Sequence, residues 1–89
     1  MSHLKDKVIL ITGGTYGIGR AASLGFAAQG DKVYTFGEGE AASQGVMELA
    51  RKAGTSVNAV TLDITDTAAV RTLISDILAR EGRIDVLVN

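Results

Sequence analysis

The 89-residue chain has room for one small domain and not for two. A formal net charge of −1 gives no electrostatic case for a nucleic-acid partner or an anionic membrane surface. The absence of cysteine excludes disulfides, thiolate zinc sites and a cysteine nucleophile together, and it fits a cytoplasmic protein.

The chain opens on a polar leader, Met1 to Lys7, in which His3, the only histidine, reads as a solvated residue with no role. The apolar run that follows, Val8 to Ile11, is too short for a signal-peptide core or a membrane span. Lys7 to Thr12 is short and β-branched, the pattern of a buried strand. It runs directly into Gly13-Gly14-Thr15-Tyr16-Gly17-Ile18-Gly19 and then into an alanine-rich helix, Arg20 to Gln29, with Gly30 placed to cap it. Lys32 to Phe36 is the second strand. A second helix is expected from Glu40 to Ala53, closed by Gly54, with Ala42, Val46, Leu49, Ala50 and Ala53 on one face. Ser56 to Leu62 is the third strand, and Asp63 to Asp66 is turn-prone. In the third helix Val70, Leu73, Ile74, Ile77 and Leu78 follow helical spacing, Gly82 ends it, and Ile84 to Val88 is the fourth strand.

The order β-α-β-α-β-α-β, with short connections and no proline, implies an α/β fold: a parallel sheet covered by helices. Right-handed crossovers and double winding place the strands 3-2-1-4, half of a doubly wound Rossmann fold. Its crevice opens beside the first strand, where the order reverses.

The glycines carry the chemistry. Gly13 lets the chain leave the strand sharply, and Gly17 removes a Cβ where a pyrophosphate must approach backbone N–H groups. Gly19 allows a close approach of helix to sheet, helped by Ala21, Ala22 and Gly25. The first-turn amides and the positive end of the helix dipole would then hold phosphates. The same glycines could serve a tight turn with no ligand, but four of them in seven residues, after a buried strand and opening a helix, favour a nucleotide. An NTPase loop is disfavoured, because Arg20-Ala21 stands where a Lys-Ser/Thr pair is needed.

Thr12-Gly-Gly-Thr-Tyr-Gly-Ile-Gly19 resembles the TGxxxGxG cofactor loop of the short-chain dehydrogenases/reductases. Asp63-Ile64-Thr65 is similar to that family's acidic position after the third strand. Arg83 to Asn89 resembles the approach to its NNAG motif. The resemblance implies an NAD(P)-dependent oxidoreductase, moving hydride between a nicotinamide and an alcohol or carbonyl, with residues 1–89 as its dinucleotide-binding part. It implies that backbone around Gly13, Tyr16, Gly17 and Ile18 contacts phosphates and riboses, with the Thr15 hydroxyl available to a phosphate or ribose oxygen. Asp63 would accept from the adenine amino group with the Ile64 backbone beside it, and Asn89 would brace the sheet. Asp63 could equally stabilise its own turn.

At the end of the second strand the aspartate usual in NAD-dependent members is replaced by Gly37, and Glu38 stands where NADP-dependent members often carry arginine. No cation is poised for a 2′-phosphate, so NAD is expected over NADP; a solvated Glu38 on an exposed turn is the alternative.

The family's Tyr-x-x-x-Lys pair is not here. Four residues after Tyr16 and Tyr34 stand Arg20 and Glu38, no serine has a base beside it, and no residue cluster suggests a metal. No catalytic residue is assigned, and the 89 residues alone are expected to lack turnover. The alternative is a stand-alone or engineered nucleotide-binding module. The fourth strand is expected to be an apolar open edge, with Val86 and Val88 on one side and Leu87 on the other, prone to self-association or to capture of a complementary fragment.

Overall fold

The computed structural model describes residues 6–89, so His3 and most of the polar leader lie outside the described residues. The elements are β1 (Val8–Thr12), α1 (Gly17–Ala28), β2 (Lys32–Gly37), α2 (Glu40–Lys52), β3 (Val57–Thr61), α3 (Thr67–Glu81) and β4 (Val86–Val88). The four strands form one parallel sheet in the order β3-β2-β1-β4. This is the half-Rossmann arrangement expected from the alternation of strands and helices.

Side chains alternate across the strands, so each strand feeds two cores. On one face Ile9, Ile11, Val33 and Val57 pack with Ala27 of α1 and with Val46 and Ala50 of α2. On the other, Val8, Leu10, Tyr34 and Phe36 pack with Leu73 and Ile77 of α3. The first face is approached by small side chains, including the buried Ser23 and Ser43. The second is approached by large ones.

Several expectations shift at this level. α1 begins three residues earlier than Arg20, at Gly17, because Tyr16 is already in extended backbone (φ −152°, ψ 167°) and acts as the N-cap. The glycine run therefore supplies the first helical turn and does not merely precede it. In α2, Val46 and Ala50 are buried as expected, but Leu49 is 43% exposed and Ala53 lies on the surface. Ser43 takes the inward place: its hydroxyl pairs with that of Thr61 at 3.2 Å, so a polar group can be buried there at little cost. Gly25 was expected to ease helix-sheet packing. It is exposed, and a Cβ at that position would meet nothing within 4 Å. Ala21 is exposed as well, and α1 makes its close approach through Ser23 and Ala27. In α3, Leu78 is exposed, although its spacing matches Leu73 and Ile77.

The helix ends follow their chemistry. Gly30 and Gly54 take φ of 94° and 79°, and the N–H groups of Asp31 and Thr55 reach back to the carbonyls of Phe26 and Ala50 at 3.2 and 2.9 Å. Asp66 caps α3 by accepting from the Ala69 N–H at 3.1 Å, and Gly82 ends that helix with φ 81°.

The N-terminal ends of the strands are tied together by carboxylates. Asp85 accepts from the Val8 N–H at 2.8 Å and pairs with Arg83 at 2.8 Å. Its own N–H donates to the Val8 carbonyl just ahead of β4, which runs for three residues from Val86 and not from Ile84 as expected. Glu81 accepts from the Tyr34 hydroxyl and pairs with Lys32 at 3.1 Å, while Arg80 lies 5.8 Å from the Tyr34 ring centroid. With that end closed, the C-terminal ends of the strands are left for the site.

Candidate functional site

The loop after β1 is shaped by what its glycines rest on. Gly13 takes φ 68°, in the left-handed region, while its N–H prolongs the ladder to the Phe36 carbonyl at 3.0 Å. Gly14 has the tightest seat. A Cβ there would fall 2.2 Å from Thr35 Oγ1 and 2.6 Å from Ser23 Oγ. Both hydroxyls are committed. Thr35 donates to the Ile11 carbonyl at 2.6 Å, and Ser23 Oγ lies 3.1 Å from the Gly14 carbonyl and 2.9 Å from that of Gly19. At Gly19 a Cβ would lie 2.3 Å from the Gly13 carbonyl oxygen, so this glycine seats the helix on the loop's own backbone and not on the sheet.

The result is an open helix mouth. The first helical bond runs from the Arg20 N–H to the Tyr16 carbonyl at 3.2 Å, and the Tyr16 side chain offers no cap. The amides of Gly17, Ile18 and Gly19 have no partner among the described residues. No acidic side chain occupies this first turn to neutralise the dipole's positive end. Gly17 has φ 62° with open space where a Cβ would stand, and Ile18 beside it is 91% exposed. Unpaired, accessible amides at a helix N-terminus favour an anion.

Beside this mouth is a crevice of about 140 Å³, lined by Gly13, Tyr16, Phe36, Gly37, Glu38, Leu62 and Ile64. It brings together Gly13, Tyr16, Glu38 and Ile64 of the expected set. Gly17, Ile18 and Gly19 form the neighbouring helix mouth. Phe36 and Leu62 were missed in the sequence, although both stand at the C-terminal ends of strands, where a doubly wound sheet opens its crevice.

Two expected residues sit differently. The Thr15 side chain is fully buried, and its hydroxyl is not available at the surface as expected. It is turned against Gly37 and has no hydrogen-bond partner. Asp63 does not line the crevice; its Oδ1 accepts from the Thr65 N–H at 2.8 Å and the Thr65 hydroxyl at 2.7 Å. Those two bonds, the backbone one foremost, hold its carboxyl below the usual carboxylate range. Asn89 accepts from the Thr12 hydroxyl at 2.9 Å, joining the ends of β4 and β1.

A larger groove of about 490 Å³ lies on the α3 face, where Tyr34, Asn58, Val60, Leu73, Ile77 and Arg80 are among its walls. The first turn of α3 reaches it at Ala69, but the Asp66 carboxylate accepts from that residue's N–H. Size alone would choose the groove, but the converging unpaired amides choose the smaller crevice.

The short chain dehydrogenase family profile matches residues 7–89. A 3β-hydroxysteroid dehydrogenase of Mediterraneibacter gnavus is 33% identical over 89 residues, covering 100% of this chain and 32% of that protein. A short-chain dehydrogenase/reductase homologue of Bacillus subtilis, YusS, is 33% identical over 88 residues, covering 98% of this chain and 81% of that protein. Among solved structures, a short-chain dehydrogenase/reductase from Burkholderia xenovorans is 41% identical with a TM-score of 0.88, over 97% of this chain and 36% of that one. The structure of an actinorhodin polyketide ketoreductase with NADPH is 26% identical with a TM-score of 0.83, over 98% of this chain and 33% of that one. The chain thus spans about a third of the length of most of these proteins and four-fifths of one. With the profile match running from Lys7 to Asn89 and the parallel sheet ordered as expected, the chain belongs to the short chain dehydrogenase family.

Proposed function

We propose that residues 1–89 are the dinucleotide-binding part of an oxidoreductase that moves hydride between a nicotinamide cofactor and an alcohol or carbonyl. The observation that carries this is the open helix mouth at Gly17, Ile18 and Gly19, beside the crevice that Gly37, Glu38, Leu62 and Ile64 wall. The residues fit the group: unpaired amides for a pyrophosphate, and a largely apolar crevice at the strand ends for an adenosine. Gly13 and Gly17 supply the backbone cradle, and Tyr16 and Ile18 flank it. Gly19 holds α1 against the loop. The Ile64 backbone meets the adenine edge, and Asp63, whose Oδ1 is spent on Thr65, would accept from the adenine amino group through Oδ2. Asn89 braces β4 against Thr12. When bound, the nicotinamide supplies the hydride chemistry.

NAD is favoured over NADP. Glu38 walls the crevice, and among the described residues no lysine or arginine lines it, so a 2′-phosphate would meet a carboxylate with no compensating cation there. The 89 residues alone carry no Tyr-x-x-x-Lys pair, and no turnover is expected of them. A second reading, a binding module without catalysis, draws support from the 81% of YusS that this chain covers. We place the protein in the cytoplasm, with a dinucleotide and no nucleic acid or membrane as its partner. No helix among the described residues is long and apolar enough to cross a membrane. Leu87, 65% exposed on β4, supports self-association or fragment capture through that edge. A monomer in sedimentation across a concentration series would count against such pairing.

The deciding test is calorimetric titration with NAD, NADP and AMP, with Gly17→Asp as control. Saturable NAD binding that is weaker for NADP and lost in the variant is expected. A folded chain that binds none of the three would overturn the reading.

A further inference from the structure

Thr15 is enclosed completely, yet its hydroxyl has no hydrogen-bond partner. A buried hydroxyl without a partner destabilises a fold, so something else must hold it there. Its neighbour is Gly37, the last residue of β2. A Cβ at Gly37 would fall 2.6 Å from Thr15 Oγ1, while Thr15 Cγ2 and Cβ would stand 3.4 and 3.6 Å away. The conflict is therefore with the oxygen, and a β-branched, fully enclosed side chain has little freedom to turn it aside. Gly37 takes no left-handed backbone angle, so only this contact forbids a side chain there. Gly37 and Glu38 both wall the crevice, and Thr15 does not.

We propose that Thr15 and Gly37 are a matched pair. The threonine hydroxyl fills the space in which a side chain at position 37 would begin, leaving Glu38 as the one charged group at the end of β2 that can discriminate a ribose 2′-hydroxyl from a 2′-phosphate. Thr15 is then a positioning residue that acts on selectivity through Gly37. The selectivity half rests on the dinucleotide reading, and the steric half does not.

The test has two stages on the 89-residue chain. The first compares thermal unfolding of the wild type, Gly37→Ala, Thr15→Ala and the double variant. Gly37→Ala is expected to lower Tm by about 5 °C or more, and the double variant to recover most of that loss. Additive changes would overturn the pair. The second titrates NAD and NADP into Thr15→Ala and into Thr15→Ala/Gly37→Asp by calorimetry. The added carboxylate is expected to raise the NAD-to-NADP affinity ratio about tenfold, but only with Thr15 removed. An equal gain from Gly37→Asp alone would overturn the positioning role. Folded variants that bind neither nucleotide would overturn the selectivity half together with the dinucleotide reading, and the unfolding cycle would still decide the steric half.

Discussion

The two faces of the sheet are covered by different means. α1 and α2 approach through Ser23, Ala27, Ser43, Val46 and Ala50, and α1 is further seated on the loop backbone through Gly19. α3 covers the opposite face alone, through Leu73 and Ile77, and leaves a groove of about 490 Å³ beside it. Small side chains with paired hydroxyls bring a helix close enough for its N-terminus to join the strand ends. Large apolar ones hold it further out, where it closes a core. Close packing thus positions the candidate site on one face, while the other face contributes core burial.

The largest test of this contrast is Gly19→Ala. Its Cβ would meet a backbone oxygen, which cannot step aside as a side chain can, so a loss of about 3 kcal/mol is expected in denaturant unfolding. A loss under about 1 kcal/mol would show that the helix-loop seat is soft. Next comes a matched pair of enlargements. Ala50→Leu on the close-packed face should cost about 2 kcal/mol, whereas Ala69→Leu, which points into the groove beside α3, should cost under about 0.5. Equal costs would erase the distinction between the faces.

Acid should act through the carboxylates that close the far end of the sheet. The Tyr34 hydroxyl and Lys32 hold Glu81 below the usual carboxylate range, and the Val8 amide and Arg83 do the same for Asp85. Burial, with help from Glu81, pushes the Tyr34 hydroxyl up. Because the two folded-state carboxyl pKa values are lowered, the unfolded chain binds these protons more readily. The stabilisation is present above the ordinary carboxylate range and is lost as pH falls through and below about 4. Glu81→Gln and Asp85→Asn should each flatten the fall of Tm with acid. Unchanged slopes would remove these pairs from the stability of the strand ends.

The last effect expected is a gain. Gly25 is exposed in mid-helix with open space around its missing Cβ, so Gly25→Ala should stabilise the chain by about 0.5–1 kcal/mol. A loss would mean that α1 packs against something at that position after all.

Element order was legible in the sequence because its periods change cleanly, from the β-branched run at Val8 to the helical spacing of Val70, Leu73, Ile74 and Ile77. The left-handed C-terminal glycines, 30, 54 and 82, were legible for the same reason: each answers a local backbone demand. Leu49 and Leu78 were misplaced because helical spacing gives a stripe but not which part of it meets the sheet. Gly25 was expected to pack because a mid-helix glycine is costly, but packing is a relation between two surfaces, and no second surface meets it. Among the site residues, a helix mouth with unpaired first-turn amides followed from the sequence, since a mouth is local, but its place at Gly17, Ile18 and Gly19, three residues before the expected helix start, did not. The Asp63–Thr65 turn also followed, as the alternative to an adenine contact.

What the sequence determined by itself is therefore the set of local answers: the alternation of strand and helix, the caps, and a glycine loop whose amides open to an anion. Only the tertiary structure decided the contacts across it. It set Gly14 on Thr35 and Ser23, turned Thr15 inward against Gly37, and drew Phe36, Glu38, Leu62 and Ile64 around one crevice. Those residues lie on different strands and loops, and their meeting depends on strand order, register and helix distance, which no run of neighbouring residues encodes.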